Sequence, residues 1–205
     1  MKQESLNGIL DVIRSVKLDG EFPPSKVTEL NELNRYGTFD DILRGFYLNN
    51  IQFSIPNDKL YDLYDYVVPK NERVINRQFL NIPYLIAFLL SIYGVFIGNY
   101  WLLILIPVVI ISLWLSSVFG GWIFYLIALF VTVYLFYSGS QTFAFISLTV
   151  LITIFFSHYL RVHRRNSLIK MALKNEEIFS FLFYSKTLSI VDLEINKVIY
   201  SGMRY

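Results

Sequence analysis

A chain of 205 residues that is 55% hydrophobic and 18% aromatic, with a positive mean hydropathy, lies outside the range of an ordinary soluble domain. The absence of cysteine excludes disulfides, thiolate metal sites and cysteine nucleophiles. A net charge of +2 gives no ground for direct nucleic-acid binding.

The first 22 residues place Glu4, Asp11 and Asp19 among apolar positions, so they predict neither a signal peptide nor a spanning helix. Leu6, Ile9, Leu10, Ile13 and Val16 instead recur at helical spacing and predict an amphipathic helix. After Pro23-Pro24 the pattern predicts a weaker helix over 26–35. Thr38, followed by Asp40 and Asp41, reads as the N-cap of a helix carrying Phe39, Ile42, Leu43 and Phe46. "IQFSI" alternates as a short strand before Pro56. Asp58, Asp62 and Asp65 fall on one face of a possible helix; a solvated acidic face explains them better than a metal site, because the glycine and spacing of a calcium loop are missing.

Between Arg77 and Arg161 stand 83 residues without Asp, Glu, Lys or Arg. A bilayer core about 30 Å thick needs roughly 20 apolar residues per helix, so this block suits four crossings. Gly98-Asn99, Gly120-Gly121 and Ser138-Gly139-Ser140-Gln141 divide it into segments near 79–97, 100–118, 121–137 and 142–160, the third short for a full crossing. Lys70, Arg73 and Arg77 precede the block and Arg161, Arg164, Arg165, Lys170 and Lys174 follow it, which predicts cytoplasmic flanks at both ends and an even number of crossings. Trp101, Trp122, Tyr84, Tyr100, Tyr137 and Tyr159 lie near the predicted boundaries, where amphipathic rings prefer the interface.

Ala87, Ser91, Gly94 and Gly98 form a small-residue stripe suited to close helix packing, within one bundle or between subunits. Thr142, Thr149, Thr153 and Ser157 form a hydroxyl stripe on the fourth segment, and Ser112 and Ser116 stand one turn apart on the second. Such hydroxyls line a water path in a pore; elsewhere they bond to their own backbone or to a neighbouring helix. The uncharged block argues against a proton-coupled transporter or voltage sensor.

Beyond the block, Leu168, Met171, Ala172, Ile178, Phe179 and Leu182 predict one further helix, which could continue the last membrane segment. "TLSIVDLEINKVIY" predicts a β-hairpin that needs a partner surface to be stable. His158 and His163 are the only histidines, and adjacent Ser157 lacks the elbow motif of a Ser–His hydrolase. Arg161, His163, Arg164 and Arg165, with Lys170 and Lys174, read as a collar for anionic headgroups or for a partner.

The sequence thus predicts a mainly α integral membrane protein: a cytoplasmic domain over 1–77, a four-helix transmembrane domain over 78–160, and a basic helix with a β-hairpin over 161–205. No catalytic, cofactor-binding or metal motif is present, so an enzyme is not expected. In size and predicted topology the chain resembles small multi-pass membrane proteins that accompany bacterial antiviral systems, including accessory proteins of RNA-targeting CRISPR loci, and Rab-acceptor-type trafficking proteins. The likeness covers the whole chain and rests on architecture, not on a diagnostic residue. Frequent Asn, Ile, Phe and Tyr suggest an AT-rich bacterial genome, and hence the bacterial cytoplasmic membrane. The leading expectation is a homo-oligomeric membrane adaptor or membrane-perturbing effector that receives a cytosolic cue or protein partner. An ion or small-solute pore and a lipid-modifying enzyme are the alternatives.

Overall fold

The computed structural model describes residues 3–18, 20–56, 60, 64–118 and 122–201; the side chains of 3–5, 65, 114–118 and 122–125 lie outside that description. The fold is mainly helical with one small three-stranded antiparallel sheet. Two compact units emerge: residues 1–73 with 163–205, and residues 74–162. The two flanks of the charge-free block therefore share one unit.

In the first unit, helix α1 (Gln3–Ser15) buries Ile9 and Ile13, with Leu6, Leu10 and Val16 packed at the edge of the core. The helix expected over 26–35 is instead two 3₁₀ turns, Val27–Glu29 and Asn31–Tyr36. Their core-facing residues are Val27, Leu30 and Leu33, a spacing of three that suits a helix with three residues per turn. Helix α2 (Phe39–Tyr47) starts at Thr38 with a full capping box: Thr38 Oγ1 accepts from Asp41 N, and the Asp41 carboxylate accepts from Thr38 N at 2.9 Å. The Thr38 backbone and side-chain hydrogen bonds hold the Asp41 carboxyl below the usual carboxylate range.

Strand β1 (Ile51–Ser54) pairs antiparallel with β2 (Ser189–Asp192), Ile51 opposite Asp192 and Ser54 opposite Ser189. β2 pairs in turn with β3 (Lys197–Ile199), closing the expected hairpin. The order β1-β2-β3 answers what steadies that hairpin: a strand from more than 130 positions earlier in the chain. A short helix α3 (Tyr64–Val67) precedes α4 (Lys70–Phe96). Asp58 and Asp62 lie outside the described residues, as does the Asp65 side chain.

The single helix expected beyond the block is broken. Helix α7 (Gln141–Ala172) ends, and α8 (Glu176–Tyr184) restarts at Asn175, whose side chain accepts from Ile178 N at 3.1 Å. The break lets α8 bury Ile178 through Phe183 on all sides, which marks it as the central helix of its unit. Phe179 meets Phe39 and Phe53 at ring distances of 5.5 and 5.6 Å, and Phe53 stacks on Phe46 at 4.9 Å.

In the second unit, α4 turns at Gly98, whose φ of +72° suits glycine. A 3₁₀ turn over Tyr100–Ile104 leads directly into α5 (Leu105–Val118). Helix α6 (Trp122–Tyr137) follows, and the Ser138–Ser140 turn leads to α7. The Gly120-Gly121 break lies outside the described residues.

Candidate functional site

Two of these helices, α4 and α7, are long and apolar enough to cross a membrane, with mean hydropathy 1.9 in their most apolar windows. The segments over Tyr100–Leu113 and Leu126–Tyr137 are apolar but shorter. Four crossings are therefore not established by helix length alone.

The small-residue stripe lies inside the second unit. Ala87, Ser91 and Gly94 are buried on α4, and Ser91 Oγ donates to Leu102 O at 2.9 Å. A Cβ on Gly94 would sit 2.6 Å from Leu102 Cβ and 2.8 Å from Asn99 O, so only glycine admits this approach. Gly98 does something else: its position is open, and its positive φ makes the turn. Around the stripe, Leu102, Leu105 and Val109 join Ala87 in a small core, with Phe145 and Ile146 of α7 against it.

The hydroxyl stripe is largely bonded within the chain. Thr149 Oγ1 donates to Phe145 O at 2.8 Å, and Thr153 Oγ1 to Thr149 O at 2.7 Å; both residues are buried. Thr142 Oγ1 accepts from Asn99 Nδ2 at 2.7 Å, tying the start of α7 to the α4–α5 turn. Thr132 Oγ1 lies 2.8 Å from Ser147 Oγ, and Phe136 meets Phe145 edge-on at 6.0 Å, so α6 packs on α7. Ser157 is half-buried, Ser112 is buried, and the Ser116 side chain is outside the described residues.

The outside of this unit is the reverse of its inside. Phe88, Leu89, Phe96, Ile110, Ile127, Phe130 and Phe143 are among its many exposed large apolar residues. Of the predicted interface aromatics, Trp101, Tyr100, Tyr137 and Tyr159 are exposed, Tyr84 is half-buried, and the Trp122 side chain is not described. A soluble protein rarely leaves so continuous an apolar surface uncovered.

The expected basic collar is split. Arg161 and Arg164 are buried, His163 and Arg165 are half-buried, and Lys170 and Lys174 are exposed. The Arg164 guanidinium lies over the Tyr64 ring at 5.2 Å. Helical spacing carries positions 161, 164, 168 and 171 to the inward face of α7, so two of the six cations face protein.

In the first unit, polar contacts join the two flanks. Arg14 forms a bidentate pair with Glu177, Nε to Oε1 at 2.7 Å and Nη2 to Oε2 at 2.9 Å, and the bond to Glu177 raises the pKa of Arg14. Glu176 Oε1 accepts from Val27 N at 2.9 Å. Asp192, almost fully buried, accepts from Tyr36 Oη at 2.5 Å, from Arg35 at 3.1 Å, and from the Glu194 and Ile195 N–H groups. Burial pushes its carboxyl up, but the Tyr36 and Ile195 bonds, the Arg35 charge and the Glu194 bond together leave it below the usual carboxylate range. The pairings across the flanks are not legible in the sequence, since Arg14–Glu177, Tyr36–Asp192 and Val27–Glu176 join positions 163, 156 and 149 apart.

At the hairpin tip Leu193 N donates to Asn50 O at 2.9 Å, and Asn50 Nδ2 to Glu194 at 2.8 Å. That seats the α2–β1 turn, with exposed Tyr47 and Leu48, beside exposed Leu193 and Ile195. Among the described residues no cluster of His, Asp or Glu could hold a metal ion. Comparison with protein-family models, with characterised proteins and with solved structures returns no match.

Proposed function

We propose that the chain is an integral membrane protein: residues 74–162 form a four-helix bundle in lipid, and the joined flanks form a cytoplasmic platform for a protein partner. The observation that carries this reading is the packing of the second unit, whose interior is small and hydroxyl residues around a few Leu and Val side chains, while most of its large apolar residues lie outside. Only 22% of the most apolar window of α4, and likewise of α7, is buried, whereas a soluble core helix is mostly covered. For the middle pair, the Tyr100–Ile104 turn and α5 adjoin, giving nineteen consecutive apolar-rich positions, and the α6–α7 contacts fold the short α6 back on the long α7.

We further propose that the chain acts as a homo-oligomeric adaptor or membrane-perturbing effector in the bacterial cytoplasmic membrane. Its candidate contact surface is the patch of Tyr47, Leu48, Leu193 and Ile195, next to a three-stranded sheet whose outer strands can accept a further strand. A pore gains no support from the hydroxyl stripe, because Thr149 and Thr153 are buried and satisfied within α7.

Native mass spectrometry of the detergent-extracted protein tests the assembly, and vesicle dye release tests the effector role. An oligomer of four or more that releases dye supports an effector. A smaller assembly that retains dye and carries a protein partner supports an adaptor. A partner-free monomer inert to vesicles contradicts both.

A further inference from the structure

A cavity of about 440 Å³ opens between α1 and the start of α4, within the first unit. One side is apolar: Ile9 and Val12 of α1, with Val68 and Pro69 of the α3–α4 junction. The other side carries Lys70 and Arg73, one turn apart at the N-terminus of α4. Gly8 lines it too, and a Cβ built there would meet nothing within 4 Å. Arg73 Nε is buried and has no hydrogen-bond partner among the described residues, and neither cation is within ion-pair distance of a carboxylate there. Glu72, in the same turn, accepts from Ser167 Oγ at 3.1 Å.

A donor left unpaired in a folded interior is unfavourable unless a ligand supplies its acceptor. Here the donor belongs to an arginine, a cation one turn from a lysine, and the positive end of a 27-residue helix adds to both. The acceptor that suits such a site is an anionic oxygen group, and a phosphate suits it best. The facing apolar wall suits a ligand with a hydrocarbon part, and the volume matches a small-ligand pocket. Four residues after Arg73, α4 passes its last charge at Arg77 and becomes wholly uncharged.

We infer that this cavity binds the phosphate headgroup of an anionic lipid, Lys70 and Arg73 holding the phosphate and Ile9 and Val12 the adjoining apolar part. The inference rests on α4 being a membrane helix. Its lining shares no residue with the cations of the last turns of α7.

The test uses the full chain in neutral detergent, titrated with dioctanoyl phosphatidylglycerol, dioctanoyl phosphatidylcholine and inorganic phosphate. The glycerol lipid should bind at least tenfold more tightly than the choline lipid. Gly8→Phe, which fills the cavity and favours the helix, and the double variant Lys70→Gln/Arg73→Gln should each weaken it at least tenfold. Equal binding of the two lipids, or variants that bind like the wild type, would overturn the inference. Phosphate binding as tight as the lipid and lost in both variants would assign the site to a soluble phosphate compound and overturn the lipid source. Flotation with zwitterionic vesicles is scored separately: a protein that floats but lacks the lipid preference refutes this inference alone, and one that does not float refutes the membrane reading beneath it.

Discussion

The two units of this protein sort the same amino acids in opposite ways. In the unit built from the flanks, Phe179, Phe181, Phe183, Ile42 and Leu168 are fully buried and most charges face outward, the hydrogen-bonded Asp192 and the ring-stacked Arg164 excepted. In the unit between them, Ala87, Ser91, Gly94, Thr149 and Thr153 are buried around a small core of Leu102, Leu105 and Val109, while Phe88, Phe130 and Tyr137 face outward. Water drives apolar area inward at about 25 cal/mol per Å², but a hydrocarbon surrounding removes that drive. What remains is close backbone approach and hydrogen bonding, and small residues with self-satisfied hydroxyls supply both. On the membrane reading proposed above, the difference between the units is a difference of solvent.

The comparison breaks hardest at Phe179. Phe179→Ala should destabilise the first unit by about 3–5 kcal/mol, because it opens the ring cluster with Phe39 and Phe53. Hydrogen exchange at the α8 and β2 amides of the full chain would record it as lost protection, with exchange in α4 unchanged.

Phe130→Arg asks the reverse question of the second unit. A lipid-facing Arg near mid-span should oppose insertion by about 2.5–3.5 kcal/mol and lower the membrane-inserted yield. A water-facing Arg would leave the yield unchanged or improve solubility.

Asp192→Asn should cost the first unit about 1–3 kcal/mol, by weakening the acceptor shared by Tyr36, Arg35 and two backbone N–H groups. The sign of its pH dependence follows from its lowered pKa. The stabilisation is fully present above the unfolded carboxylate value near 4 and is lost as pH falls through the lower folded value. An acid titration of the wild type should therefore lose protection below about pH 4, and the Asn variant should show a shallower slope.

The smallest effect concerns Ser180, whose hydroxyl is fully buried without a hydrogen-bond partner among the described residues. Ser180→Ala should be neutral or stabilise by up to about 1 kcal/mol, read from the denaturant midpoint. A loss above 1 kcal/mol would mean that the hydroxyl is satisfied in solution.

Local signals were the legible ones. Thr38 followed by Asp40 and Asp41 marked an N-cap, the alternation about Asp192 to Asn196 marked a hairpin, and the charge-free block marked the second unit. Asn175 before Glu176 and Glu177 also carried an N-cap signature, but the continuous apolar spacing across it concealed the break. Long-range facts were not legible. Nothing local says that β1 would pair with β2, that Arg164 would lie over Tyr64, or that Leu102 would close on Gly94. Those contacts depend on which surfaces meet, and a single chain's periodicity names a face without naming its partner.

The most direct test of the opposed solvents uses the absence of native cysteine. Single cysteines replace Tyr47, 71% exposed in the first unit, and Phe130, 72% exposed in the second, and the protein is reconstituted in vesicles with either face accessible. A water-soluble maleimide should label position 47 promptly and leave position 130 unlabelled until detergent is added. Equal labelling of both before detergent would contradict a lipid-facing second unit.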